Sequence, residues 1–314
     1  MPPSGELVNA LEFEEVARLT LPAAAYSTIA GGDRAAFERI TFRPRMMVPA
    51  LDMDLSVELF GDTHFTPILV GPVADQKRYH TDGELATVRG ATAAKAAMIV
   101  SSRSSVPIAD VAAQAKTPLW FAAYVDEEGA EARLQQAAAA GCTAICLTIG
   151  VSLENGRPAA NPRADWKAID RLRRNLAPPI LIKGLMTTQD AKAAVERGAH
   201  GIVVSNHGGV ASNTLAPIEV LPSIVDAVGG RVPVLVDGSF RRNSDIVKAL
   251  AFGAQAVLVA RPVMWGLAAY GAEGVQAVIE ILQSDVARNM GALGAPTLKA
   301  LTRSMVKVHQ RQYP

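Results

Sequence analysis

Gly201-Ile202-Val203-Val204-Ser205-Asn206-His207-Gly208-Gly209 is the stretch whose reading decides the fold. The apolar run from Gly201 to Val204 stops abruptly at polar residues and two glycines. That profile predicts a buried parallel strand running out into a site loop. A histidine at such a strand end can titrate near neutral pH and move protons. The glycines let backbone approach a ligand closely. Taken alone, the same residues also describe a strand closing in a tight turn, with His207 as a hydrogen-bonded spacer.

Seven further apolar, strand-length runs surround it: 67–71, 97–101, 119–124, 144–148, 179–183, 232–236 and 256–260, with 201–205 as the sixth of the eight. Each is flanked by Gly, Pro or polar residues and is too short for a stand-alone helix. Between them lie Ala- and charge-rich segments with helical spacing, among them 83–96, 129–140, 189–197 and 243–251, and 274–284 follows the last run. Three end in glycine before the next strand, at Gly141, Gly198 and Gly253, which is C-terminal helix capping. Eight strand–helix units predict an α/β protein with a (β/α)8 TIM barrel. A doubly wound sheet also alternates, but even spacing without a dinucleotide fingerprint favours the barrel. The barrel is expected over 51–314, preceded by a short N-terminal helical segment over 1–50 that packs on it. In that segment Leu11 to Leu21 has a helical pattern, and Gly31-Gly32 breaks the chain.

A barrel gathers its chemistry at the C-terminal ends of its strands. Here these ends carry Gly71-Pro72-Val73-Ala74, Ser101-Ser102-Arg103, Tyr124, Thr148, Lys183-Gly184, Ser205-Asn206-His207, Asp237-Gly238-Ser239 and Arg261-Pro262. Polar groups at nearly every end exceed what turns require. The last two ends point to an anion: small residues free backbone N–H groups to donate, and Arg241 and Arg261 supply charged forks. Arg242 reads as a solvated charge at a helix start.

Composition narrows the function classes. With 314 residues, 49% of them hydrophobic, the chain has ample material for a large core. A net charge of +1, from 31 basic and 30 acidic residues, suggests neither a nucleic acid nor an anionic membrane as partner. Cys142 and Cys146 lie in one apolar run; on one strand they would face the same side and pack as small hydrophobes. No metal-ligand spacing or disulfide framework is present, which suits a reducing, cytoplasmic location. No signal peptide or transmembrane stretch is evident.

The motifs Lys183-Gly184, Ser205-Asn206-His207-Gly208-Gly209, Asp237-Gly238 with Arg241-Arg242, His80-Thr81-Asp82-Gly83-Glu84 and Ala260-Arg261-Pro262 together resemble those of the FMN-dependent 2-hydroxy-acid oxidase and dehydrogenase family. The resemblance runs from about Phe13 to about Val308. It implies a barrel holding FMN, with a small-molecule substrate and a homo-oligomer, often a tetramer. By matching position, Pro72, Val73, Ala74, Ser101, Tyr124, Thr148 and Ser205 would line the flavin, and Lys183 would stand near its N1. Asp237, Gly238, Ser239, Arg241, Ala260 and Arg261 would hold its ribityl chain and phosphate. His207 would be the base that takes a proton as a hydride equivalent passes to flavin N5, with Lys183 and Tyr124 beside it, and Arg157, Tyr124 and His207 would meet the substrate.

The chain also departs from the family pattern. Val210 stands where the family carries a carboxylate-gripping arginine, Gly150 where it carries a histidine-orienting aspartate, Thr28 where it carries a tyrosine and Ala122 where it carries a glutamine. The loop after the fourth strand is cut to about 151–162, and Arg157 is its surviving match for a second carboxylate-binding arginine. Valine can supply neither the orientation nor the affinity of an Arg–carboxylate clamp. The expectation is a roomier, more apolar pocket, with the imidazolium form of His207 less favoured. Three readings follow: an oxidoreductase for a larger or less anionic substrate, at a CH–OH or C–N bond; a conventional 2-hydroxy-acid oxidase using Arg157; or an FMN-binding protein without oxidase activity, which retention of His207 disfavours.

Overall fold

In the computed structural model, which describes residues 2–45, 48, 52–150, 165–207 and 215–309 and the backbone of 153–154 and 157–158, the eight apolar runs close into one barrel. Ahead of it come helices α1 (Glu12–Thr20), α2 (Ala23–Tyr26) and α3 (Ala35–Glu38), strand β1 (Ile40–Phe42), and a hairpin of β2 (Val57–Leu59) and β3 (Asp62–His64). The barrel strands are β4 (Ile68–Val70), β5 (Met98–Ser101), β6 (Leu119–Tyr124) and β7 (Ala144–Thr148), then, after a short hairpin β8 (Leu153–Glu154) and β9 (Arg157–Pro158), β10 (Ile180–Leu185), β11 (Gly201–Val204), β12 (Val234–Val236) and β13 (Ala256–Val259). Each barrel strand pairs in parallel with the next, and β13 pairs with β4 to close the ring.

Outside run α4 (Glu84–Ala93), α5 (Ile108–Gln114), α6 (Ala130–Ala139), α7 (Trp166–Arg173), α8 (Thr188–Glu196), α9 (Pro217–Val228), α10 (Asn243–Ala251) and α11 (Arg261–Ala292). The helix expected at 274–284 is therefore only part of α11. That helix starts at the end of β13 and breaks its geometry at Tyr270 and Gly271. The N-terminal segment is not wholly helical either: β1 pairs antiparallel with a final strand β14 (Val306–Val308), tying the two ends of the chain together.

Because side chains alternate across a strand, each barrel strand divides its residues between two cores. Outward residues such as Ile145, Leu147, Ile202 and Val204 pack under the helices. Inward residues fill the barrel: Leu69, Ile99, Trp120, Ala122, Cys146, Leu181, Val203, Leu235 and Leu258. The β2–β3 hairpin stoppers the lower end, where Phe60 meets the Trp120 ring edge-on at 5.4 Å. The cysteines divide the same way, which corrects the expectation that they share a side. Cys142 precedes β7 and packs in the outer core, whereas Cys146 points into the barrel. Burial pushes both thiols up to about 12. Among the described residues, no helix is long and apolar enough to cross a membrane.

Candidate active site

The inward core positions set the site. Two residues beyond the last inward core residue of each strand, the same alternation points the next side chain into the barrel mouth. Leu69 leads to Gly71, Ile99 to Ser101, Ala122 to Tyr124 and Cys146 to Thr148. Leu181 leads to Lys183, Val203 to Ser205, Leu235 to Asp237 and Leu258 to Ala260. Seven of these eight line one cavity of about 340 Å³ at the top of the barrel. Ser205 is the exception: it is fully buried and accepts a hydrogen bond of 2.9 Å from Lys183 Nζ. The same cavity is lined by Pro72, Val73, Ala74, His207, Gly238, Ser239, Arg241 and Arg261. The structure thus brings together every candidate residue except Ser205, which lies directly beneath, and Arg157, of which only the strand backbone is described. Gly208, Gly209 and Val210 lie outside the described residues.

Lys183 is buried and fixed from two sides, by Ser205 and by an ion pair of 2.7 Å with Asp237 Oδ2. Asp237 Oδ1 is buried without a hydrogen-bond partner among the described residues. His207 adopts a left-handed backbone (φ 55°) and its N–H donates to Ser205 Oγ at 3.2 Å. The imidazole then lies over two glycines. A Cβ at Gly150 would come within 2.5 Å of His207 Nε2, and one at Gly184 within 2.8 Å. The space expected to open at Gly150 is thus taken by the imidazole itself. Nε2 is buried with no hydrogen-bond partner among the described residues. Burial, and then the charge of Lys183, hold His207 below its ordinary titration range, against the opposing pull of Asp237 and of the Ile149 backbone. The direction matches the expected disfavouring of the imidazolium, with burial rather than the missing aspartate as its first cause. Tyr124 flanks His207, its ring 6.1 Å away and tilted by 34°.

At the opposite end of the cavity, Arg241 is buried and its guanidinium stacks 5.1 Å from the Trp265 ring. Burial, then the charge of Arg261, disfavours its charged form. Arg261 is likewise pushed down by burial. Two adjacent guanidinium groups, one buried and one half-buried, favour an anion between them. Ser239, with a left-handed backbone (φ 57°), lies beside them. The N-terminal segment crosses over this end. The Gly31 carbonyl accepts from Arg241 at 2.6 Å and from Arg261 at 3.3 Å, and the Ile29 carbonyl accepts from Trp265 Nε1. A Cβ on Gly32 would collide with both guanidinium groups, so only glycine permits the crossing.

Tyr79 was not singled out by the motifs, and Arg103 and Glu84 were quoted there without a role. Tyr79 lines the cavity, and its hydroxyl lies 2.8 Å from Thr28 Oγ1. Thr28 Oγ1 donates to the Ala25 carbonyl at 2.7 Å, which leaves the Tyr79 O–H to donate to Thr28. Arg103 lines the same cavity with its guanidinium 5.1 Å from the Tyr124 ring; its place after Ser101 was the available signal. Glu84, from the His80–Glu84 motif, is fully buried and structural. It accepts from the backbone of Gln76 and Ser105 and from the Ser105 hydroxyl, joining the loops after β4 and β5.

Comparison with known proteins gives a consistent relationship. The family model described as FMN-dependent dehydrogenase matches residues 21–161 and 152–308, so its two segments meet in the shortened loop after β7. A peroxisomal (S)-2-hydroxy-acid oxidase of Arabidopsis thaliana is 37% identical over 356 aligned positions covering 98% of each chain. A 4-hydroxymandelate oxidase of Amycolatopsis orientalis is 35% identical over 96% of this chain and 98% of its own. The alignments are longer than this chain, so the relatives carry residues that it lacks. Mandelate oxidase with (S)-2-phenylpropionate superposes with a TM-score of 0.86 at 35% identity, covering 96% of this chain and 98% of that one. The chain therefore belongs to the FMN-dependent dehydrogenase family that includes the 2-hydroxy-acid oxidases, and it is an FMN-dependent oxidoreductase.

Proposed function

We propose that this enzyme oxidises a substrate larger or less anionic than a short 2-hydroxy acid, with His207 as the base. The observation that carries the reading is the half-buried imidazole of His207 packed directly over Gly150, which leaves no room there for the orienting carboxylate.

The residues fit FMN. Gly71 to Ala74 give a cradle of mostly small residues against which a flat ring can lie. Asp237 Oδ1, buried and unpartnered, is an acceptor suited to the hydroxyls of a ribityl chain. Arg241 and Arg261, with the backbone of Gly238 and Ser239, suit its phosphate. Bound there, FMN supplies the two-electron acceptor.

The chain's own residues do the rest. Lys183, held by Ser205 and Asp237, offers a fixed positive charge at the base of the cavity. His207 lines the cavity, and its imidazole, whose charged form burial disfavours, can accept the proton of a substrate O–H or N–H. Tyr124 stands beside it and can donate to a substrate oxygen. Thr28 and Val210 stand where the resemblance places the groups that meet a small carboxylate, and Gly150 and Ala122 remove further polar side chains beside His207 and the flavin. Tyr79, whose proton is committed to Thr28, turns lone pairs rather than a donor towards the cavity. A second reading, a conventional 2-hydroxy-acid oxidase, draws on the β8–β9 hairpin, which carries Arg157 just after β7.

Anaerobic bleaching of the flavin in the purified holoprotein tests both. Bleaching by bulky 2-hydroxy acids, their amides or amines, but weakly by glycolate and lactate, is expected. Rapid bleaching by glycolate would select the Arg157 reading. His207→Ala should retain FMN yet lose flavin reduction by about 100-fold or more, and unchanged kinetics would remove the base. Light scattering on the same sample should report a homo-oligomer; a monomer would remove that part of the proposal.

A further inference from the structure

Two hydroxyls meet on the cavity wall. Tyr79 comes from the connection between β4 and α4, and Thr28 lies just beyond α2 in the N-terminal segment; both line the cavity. Tyr79 is buried, and burial raises its pKa, so the phenol keeps its proton. Its oxygen lies 2.8 Å from Thr28 Oγ1.

Counting protons settles how the pair is arranged. Thr28 Oγ1 donates to the Ala25 carbonyl at 2.7 Å. A carbonyl oxygen can only accept, and a hydroxyl has one proton. The bond between the two hydroxyls therefore uses the phenol proton, with Tyr79 donating to Thr28. The Ala25 carbonyl also accepts from the Thr28 backbone N–H at 3.2 Å, which holds the threonine in this turn. Neither hydroxyl has a proton left for a ligand, while the phenol oxygen keeps lone pairs. This stretch of wall accepts hydrogen bonds and does not donate them. A carboxylate, which can only accept, is unmatched there, whereas an N–H or O–H is matched.

Resting on the function proposed above, we propose that Tyr79 is a specificity-determining residue that accepts a hydrogen bond from a neutral donor attached to the oxidised carbon of the substrate. Thr28 stands where the resemblance places a group that meets a small carboxylate, so the Tyr79–Thr28 pair faces the substituent on that carbon. The substrate class is then a 2-hydroxy amide, in which a carboxamide N–H takes the place of the carboxylate. Val210 and the Tyr79–Thr28 pair act in the same direction. The first withdraws the partner of an anion, and the second supplies the partner of an amide.

The test uses holoenzyme and a matched set of probes: mandelamide, methyl mandelate and mandelate. The amide is neutral with a donor, the ester neutral without one, and the acid anionic without one. Flavin reduction is followed anaerobically, and binding of the matching 2-oxo compounds is read from the flavin absorption spectrum. Wild type should favour the amide over the ester as well as over the acid. Tyr79→Phe should cut the amide-over-ester preference by about three- to tenfold. Thr28→Val removes the acceptor of the phenol proton and frees that proton to face the cavity, so the ester and the acid should gain on the amide. A gain for neither would overturn the arrangement of the proton and the inference with it. Losses shared equally by every probe in Tyr79→Phe would reveal a merely structural role and overturn it. Weaker FMN binding with unchanged ratios would assign Tyr79 to the cofactor and overturn it too. In wild type, an ester equal to the amide, or an acid ahead of both, would overturn it while leaving a bulky substrate, and so the proposed function, in place. If no probe reduces the flavin and no 2-oxo compound binds, both fall.

Discussion

Gly150 and His207 set each other's positions. The glycine, at φ 117°, leaves the volume that the imidazole fills, and the filled volume excludes water from Nε2. The pH dependence follows. The folded pKa of His207 is lowered, through burial first and Lys183 second, from an ordinary 6.5. The unfolded chain therefore binds this proton more readily than the folded one. The contribution to stability is complete above about pH 6.5 and is lost as the pH falls below it. The same shift keeps the base deprotonated. The rate of flavin reduction should hold its plateau through pH 6.5 and decline only at lower pH. An acid limb centred above 6.5 would contradict the lowered titration of the imidazole. At this scale the strand-end residues were legible because a barrel mouth is simply the next inward position on each strand. Tyr79 was not, because its place in the site comes from the Thr28 hydroxyl, a contact between residues far apart in sequence.

The N-terminal segment and the turn before α10 form one device. Arg34 donates a fork to Asp245 at 2.6 and 3.1 Å, and Asp245, fully buried, also accepts from the backbone N–H groups of Arg241 and Arg242. Asp245 thus fixes both the cover over the site and the turn that presents Arg241. Arg34→Ala should lower stability by about 1–3 kcal/mol, because the buried carboxylate loses its charged partner. It should also weaken FMN binding several-fold, as read by thermal unfolding and flavin titration. Unchanged values in both would mean that the segment covers the site without organising it. The barrel strands were readable because parallel strands buried on both faces are continuous apolar runs. The β1–β14 pair was not, since it joins Ile40 to Val308 across nearly the whole chain and neither strand has an apolar run. Nor was the length of α11, whose break falls at Tyr270-Gly271 while its helical path continues on both sides.

For the molecule as a whole, the site is where independent parts of the fold converge: inward residues at the ends of seven strands, His207 after the eighth, the crossing N-terminal segment, and the start of α11 through Trp265. None of these groups can assemble in an unfolded chain. Arg241 and Arg261 side by side, and an Asp237 Oδ1 with no partner among the described residues, are groups that a bound phosphate and hydroxyls would satisfy. FMN should therefore stabilise the folded state by mass action. At 100 times its dissociation constant the gain is about 2.7 kcal/mol, which for a chain of this size corresponds to roughly 4–8 °C in Tm. Inorganic phosphate should reproduce a smaller part of the shift, because it relieves the arginine pair but leaves Asp237 and the cradle at Gly71–Ala74 unfilled. Arg241→Met should abolish the phosphate response and reduce the FMN response. A Tm indifferent to FMN in the apoprotein would contradict the placement of the cofactor among these residues. A phosphate response that survives Arg241→Met would move the anion elsewhere on the barrel.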